Sequence, residues 1–227
     1  MESLERRYPG FTFRREVAAK LSEDDLERVL TVFRENYRDA NVAYLEKSFH
    51  VLRNIGLAEA PDGTLAGFAL AELQTIDLPR LPGQRVRLAG LCCIGMAFRR
   101  QKLFGALEQL AMGPIDLAPG ERILSTGRMA HPASFRGMTM NPTAVPRRGQ
   151  RPTEWQQQVG VAIGEAYQCY GFDPETFVVK GSGTPIGFPV IEIEATPEEW
   201  EVFEQVDRTR GDSLLGIAWG PDAPEGW

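Results

Sequence analysis

Residues 94–107 read Ile94-Gly95-Met96-Ala97-Phe98-Arg99-Arg100-Gln101-Lys102-Leu103-Phe104-Gly105-Ala106-Leu107, and the change of pattern inside this stretch decides the fold. Upstream of it, residues 86–98 form an apolar run rich in small side chains, as a strand buried on both faces does. Downstream, residues 101–112 put Leu103, Leu107, Leu110 and Ala111 on one side at helical spacing. A central strand therefore passes through a basic turn directly into a helix. Just before it, the apolar runs 55–60 and 65–76 flank Pro61-Asp62-Gly63. Asp-Gly between apolar runs predicts a hairpin, because glycine tolerates the positive φ of the turn. Residues 78–84 contain two prolines and are expected to form a loop.

Residues 11–16 alternate apolar and polar and predict a first strand. Ser22 can cap a helix whose first turn, Glu23-Asp24-Asp25, suits the positive helix end. Leu26, Val29, Leu30, Phe33 and Tyr37 continue it at helical spacing, and a shorter helix carries Leu45, Phe49 and Leu52. Residues 123–130 predict another strand. Residues 132–152 hold four prolines and are expected to be an irregular inserted loop. Thr153-Glu154-Trp155-Gln156 is a capping box that opens a helix with Trp155, Val159, Ala162, Ile163, Ala166 and Tyr170 on one side. Residues 177–180 and 189–194 read as late strands on either side of Gly181-Ser182-Gly183-Thr184-Pro185. A second capping box, Thr196-Pro197-Glu198-Glu199, opens a short helix before a final strand at 214–219. The hairpin forces antiparallel pairing and the strand–helix–strand unit favours parallel pairing. The expected fold class is α/β: a mixed, mostly antiparallel central sheet with helices on both faces. It is read as one domain over residues 1–227, with the inserted loop at 132–152 and a C-terminal appendix at 196–227.

With 43% hydrophobic and 25% charged residues among 227, the composition is that of a globular chain rather than a disordered one. Folding at this length buries roughly 70% of the unfolded surface, enough for a core without disulfide or metal. The 25 basic residues are outnumbered by 31 acidic ones, for a net charge of −6, so nucleic acid is not an expected partner. Three cysteines, two of them adjacent (Cys92 and Cys93), do not make a disulfide framework and point to a reducing compartment such as the cytoplasm. The charged opening, Met1 to Arg7, has no apolar core for a signal peptide, and no apolar run approaches a membrane span. With two histidines and no Cys-x-x-Cys, no metal site is expected. Cys92 and Cys93 point to opposite faces of a strand with no nearby histidine and are read as core.

The element order resembles that of the GNAT superfamily of acyl-CoA-dependent acyltransferases, and two stretches carry the resemblance. In the family a strand runs into the turn R/Q-x-x-G-x-G/A, whose backbone N–H groups at the helix start hold the CoA pyrophosphate. Here Arg99 matches the leading residue and Ala106-Leu107 the helix, while Lys102 and Phe104 stand where small residues are usual and Gly105 falls one place late. The resemblance implies acetyl-CoA or another acyl-CoA as donor. Its contacts would be Ile94 and Met96 on the strand and Arg99, Arg100, Gln101, Lys102, Leu103, Phe104 and Gly105 at the turn. The second stretch, Ala166-Tyr167-Gln168-Cys169-Tyr170-Gly171-Phe172, is similar to the family's L-Y-x-x-x-G-F helix end. There the tyrosine protonates the leaving CoA thiolate, a role that falls to Tyr167.

A general base is sought among carboxylates and histidines near the sheet. Glu72 lies inside the apolar run Phe68-Ala69-Leu70-Ala71-Glu72-Leu73, where burial would raise its pKa, although strand alternation also allows it to face water. His131 follows a strand directly and is either a base or substrate contact, or a surface or capping residue before Pro132. His50, beside Phe49 and Leu52, is read as structural. Residues 132–152 combine Phe135, Met138 and Met140 with Arg136, Arg147 and Arg148, which suits a substrate pocket with Phe135 as apolar floor and Arg136 as anion contact. The expected activity is transfer of an acyl group to a small-molecule amine or hydroxyl, without a membrane partner, and a homodimer is compatible. The rival is a GNAT-like domain that does not use CoA, acting as a lyase or isomerase or as a non-catalytic ligand-binding module.

Overall fold

Ser22 and Thr153 begin their helices as their side chains dictate. Ser22 accepts the N–H of Asp25, and Thr153 and Gln156 cap each other reciprocally. In the computed structural model, which describes residues 4–227, the elements in chain order are these. Helix α1 (Leu4–Arg7), strand β1 (Thr12–Val17), α2 (Glu23–Asn36), β2 (Tyr37–Arg38), α3 (Val42–Val51), β3 (Asn54–Glu59), β4 (Leu65–Leu78) and β5 (Leu81–Ile94) come first. They are followed by α4 (Leu103–Met112), β6 (Ile123–Met129), α5 (Pro132–Thr139), α6 (Glu154–Ala166), β7 (Val178–Val179), β8 (Phe188–Pro189), α7 (Pro197–Trp200) and β9 (Ser213–Gly220). The first three residues of the opening read for a leader lie outside the described residues.

The strand order is β1-β3-β4-β5-β6-β9-β7, with β2 and β8 forming a separate antiparallel pair. β1–β3, β3–β4, β6–β9 and β7–β9 pair antiparallel. The β5–β6 pair is parallel, since Gln84 Nε2 reaches the Arg122 carbonyl and the Thr126 hydroxyl reaches the Arg87 carbonyl, advancing in the same direction on both strands. The expected mixed, mostly antiparallel sheet is present.

Two compact units share these strands. One runs through Glu72 and adds Ala89–Asp116 and Ile186–Ile191; the other comprises Leu73–Leu88, Leu117–Pro185 and Glu192–Trp227. In the first, α4 lies against small residues. Ala58, Ala66 and Ala69 pack with Leu103 and Leu107, and Gly56 sits under the Leu107 carbonyl. In the second, β9 is buried from Ser213 to Trp219, and α6 contributes Trp155, Val159 and Ile163 to the core.

Four expectations are corrected. Residues 78–84 are not a loop. β4 and β5 are 14 residues each, joined by a tight turn at Pro79-Arg80 in which Arg80 takes φ 67°. Pro82 sits at the exposed start of β5, where its missing N–H breaks no buried ladder, and the Gly83 N–H bonds Asp77 Oδ1 at 2.7 Å. Residues 132–152 open with α5, because His131 caps it and Pro132 occupies its first turn, where no intrahelical N–H is needed. The late strands shrink to two residues each, Val178–Val179 and Phe188–Pro189, where Pro189 donates no backbone hydrogen bond. Residues 196–227 are more than an appendix. Their β9 pairs on both sides, with β6 and with β7, and its run Leu214-Leu215-Gly216-Ile217-Ala218-Trp219 is apolar throughout, as a doubly covered strand requires.

Candidate functional site

Between β5 and α4 the backbone makes a 3-10 turn at Met96–Phe98, and both Arg100 (φ 67°) and Lys102 (φ 61°) adopt left-handed conformations. Lys102 is the N-cap of α4, and no side chain caps this helix. Its first N–H groups therefore keep their positive partial charge for an outside acceptor. Arg100, Gln101, Lys102, Phe104 and Gly105 are exposed, and a Cβ built on Gly105 meets nothing within 4 Å. Uncapped donors, two exposed cations and open space over the first turn fit a pyrophosphate. Phe104, 54% exposed, is the bulky group at its edge. Arg99 is used otherwise. Its guanidinium donates to Asn36 Oδ1 at 2.7 Å, and Asn36 is buried and donates in turn to the Val32 carbonyl. Ile94 is half-buried beside Gly67, Met96 is exposed and Leu103 belongs to the core.

Tyr167 closes α6 and is buried, with its hydroxyl 3.0 Å from Thr126 Oγ1 on β6. Thr126 has one hydroxyl hydrogen and gives it to the Arg87 carbonyl at 2.9 Å. Tyr167 must then be the donor to Thr126, so its proton lies in a buried chain running Tyr167 to Thr126 to Arg87. Thr126 was not singled out in the sequence, where a threonine in a buried strand carries no signal. The other tyrosine of the motif, Tyr170, is 80% exposed.

His131 is the N-cap of α5, its Nδ1 accepting the Ala133 N–H at 3.1 Å, and its ring meets Trp200 edge-on at 5.0 Å. Burial, helped by the Arg208 charge, lowers its pKa below the usual 6.5. Taking up a proton would use Nδ1, the atom that holds the cap, so the capping reading describes what this side chain does here. Glu72 accepts the Arg53 N–H at 3.1 Å and is half-buried. Glu72 belongs to the first unit with the Arg99–Gly105 turn, and His131 and Tyr167 to the second. Cys93 is buried in β5, its thiol pushed up to about 12 by desolvation, which leaves it protonated at neutral pH and a poor nucleophile. Among the described residues no group of three His, Cys, Asp or Glu side chains could hold a metal, and no helix is long and apolar enough to cross a membrane.

Phe135 is 2% exposed and packs edge-on against Phe203 at 5.9 Å. With Pro132, Ala144, Pro146 and Val202 it lines a cavity of about 310 Å³ in the second unit. Arg136 also lines it but is engaged. It grips Glu199 with two hydrogen bonds and donates to the Glu194 carbonyl. Those bonds hold the Glu199 carboxyl down at about 2, against an ordinary 4.5. A depressed folded-state pKa contributes stability above 4.5 that fades as pH falls toward 2. For His131, also depressed, the loss begins as pH falls through 6.5. Acidification should therefore loosen α5 and residues 196–203 ahead of the rest of the chain. Hydrogen exchange at pH 7 and pH 4 checks this, and equal protection of residues 131–136 and 196–203 at both would refute it.

No family model and no curated protein matches the chain. Solved structures do. The Escherichia coli GNAT family N-acetyltransferase YhbS, in complex with CoA, is 14% identical over 56% of this chain and 66% of its own, with a TM-score of 0.36. The aminoglycoside N-acetyltransferase AAC(6')-Iy, in complex with CoA, is 15% identical over 43% and 63%, with a TM-score of 0.32. The NatC complex bound to Gag peptide and CoA is 9% identical over 62% and 87%, with a TM-score of 0.39. At such identities these likenesses say nothing of what this chain binds.

Proposed function

We propose that the protein is an acyltransferase that moves an acyl group from acyl-CoA to a small-molecule amine or hydroxyl. The observation that carries this reading is the junction of β5 and α4, where an uncapped helix start, exposed Arg100 and Lys102 and the open face of Gly105 lie together. Bound there, acyl-CoA presents its thioester carbonyl to the acceptor's nucleophile, and the new C–N or C–O bond forms as the C–S bond breaks. The α4 N–H groups and the two cations hold its pyrophosphate. The acceptor's nucleophile loses a proton to a base, for which Glu72 keeps a carboxylate oxygen beyond the one given to Arg53. The proton for the departing thiolate is assigned to the Tyr167 hydroxyl, on the resemblance of residues 166–172 to the family's helix end. Two features favour the rival without CoA: Arg99 is committed to Asn36, and the bulky, exposed Phe104 stands where the family's turn has a small residue.

Thermal denaturation with and without CoA separates the two. CoA at about a hundred times its Kd adds about 2.7 kcal/mol of stability. Lys102→Glu replaces an exposed cation by an anion at the helix start and should weaken CoA binding about tenfold or more. An unchanged melting temperature with millimolar CoA rejects the acyl-CoA reading. A CoA affinity unaffected by Lys102→Glu removes this turn as its site.

A further inference from the structure

The cavity beside α5 has an electrostatic asymmetry that its ion pairs expose. Three arginines line it. Arg136 is neutralised by Glu199, and Arg148 by two hydrogen bonds to Glu201. Arg147 differs. Its guanidinium donates to the Asn141 carbonyl at 3.0 Å, and among the described residues it has no carboxylate within ion-pairing distance. A guanidinium offers five N–H donors in a planar fork, so most of its capacity is unspent.

Arg147 and Ala144 also line a second, smaller cavity of about 120 Å³, whose wall includes Arg151, Gln150, Gln156 and Thr143 and no acidic residue. An apolar chamber floored by Phe135 and Val202 and a polar, cationic one thus share Arg147. This division matches a molecule with an apolar body and an anionic end. Glu198 and Glu199 on the wall of the larger chamber oppose a second negative charge. A monoanion whose two oxygens match the guanidinium fork is therefore favoured over a dianion.

We propose that this double cavity binds a small monocarboxylate with an apolar body, its carboxylate held by Arg147 and its hydrocarbon part on Phe135, Pro146 and Val202. The site lies within one unit of the chain and does not depend on acyl transfer. Arg136, the anion contact expected from the sequence, serves as a latch to Glu199 instead.

Calorimetric titration of the full chain, without CoA, tests this with an isosteric pair, 3-phenylpropionate and 3-phenylpropionamide, and with phenyl phosphate, which shares their phenyl body, each up to about 5 mM, a range that reaches weak ligands. The carboxylate should bind about tenfold more tightly than the amide and more tightly than the phosphate. Arg147→Met should erase the preference over the amide, and Arg147→Lys, which keeps the charge but loses the fork, should retain part of it. The comparison of acid and amide on the unaltered protein stands even if a variant fails to fold. Equal binding of acid and amide, tighter binding of phenyl phosphate, a folded Arg147→Met that keeps the preference, or no heat from 3-phenylpropionate would each overturn the proposal.

Discussion

Replacing Gly56 with alanine is expected to destabilise the protein by about 3 kcal/mol, which for a chain of this size lowers Tm by roughly 6–12 °C. A Cβ at this position would lie 2.7 Å from the Leu107 carbonyl oxygen, 3.2 Å from the Ala111 nitrogen and 3.3 Å from Leu110 Cδ2. Two of these atoms belong to the α4 backbone and cannot rotate away. The helix must lift from β3, and its seat on Ala58 and Ala69 opens with it. Because the proposed pyrophosphate site is the start of the same helix, CoA affinity should fall as well. Gly105→Ala is the control on α4: with nothing within 4 Å it should be neutral or stabilise by about 0.5–1 kcal/mol. Chemical denaturation of both variants checks the pair. A Gly56→Ala protein within about 0.5 kcal/mol of the parent would mean that α4 does not seat on β3 this closely.

Tyr167→Phe is expected to lower kcat for acyl transfer about a hundredfold, within the usual range for loss of a general acid, with KM for acyl-CoA changed less than about twofold. The ring stays in its buried place, and loss of one hydroxyl hydrogen bond costs about 1 kcal/mol of stability. Thr126→Val separates chemistry from packing. It removes the partner that accepts the Tyr167 proton and the bond to the Arg87 carbonyl, but leaves the phenol in place. A proton donor predicts that Thr126→Val keeps most of the activity that Tyr167→Phe loses. Equal kcat for the two variants, or full activity in Tyr167→Phe, would reduce Tyr167 to a packing residue.

Local rules were legible where one side chain decides one bond. Ser22, Thr153 and Thr196 cap the helices they were expected to cap, and Asp62-Gly63 makes the first hairpin turn, with Asp62 accepting the Thr64 N–H at 2.9 Å. The same rules misread the second hairpin. Pro79 and Pro82 look like a broken loop in sequence, yet the turn is pinned from outside: Trp155 Nε1 donates to the Pro79 carbonyl at 2.8 Å, and Arg80 lies over the Trp155 ring at 5.0 Å. Those partners are about 75 positions away, a separation at which sequence periodicity is silent. The site divides in the same manner. The basic turn at Arg99–Gly105 and the placing of Tyr167 at a helix end were readable, because both belong to helix termini.

The amino-acid sequence by itself determined the α/β class, the succession of the longer strands and helices from β1 to α4, with the two-residue β2 unread, and the helix starts at residues 23, 154 and 197, since these depend on spacing and on contacts within a few residues. Only the tertiary structure decided which charges remain for a ligand. Arg99, Arg136 and Arg148 are alike in the sequence, but folding brings Asn36, Glu199 and Glu201 to them across 63, 63 and 53 positions and leaves Arg147 with a carbonyl. It also decided the place of β9, whose apolar run at the chain's end is drawn between β6 and β7 because a strand apolar on both faces is stable only when neighbours and helices cover it.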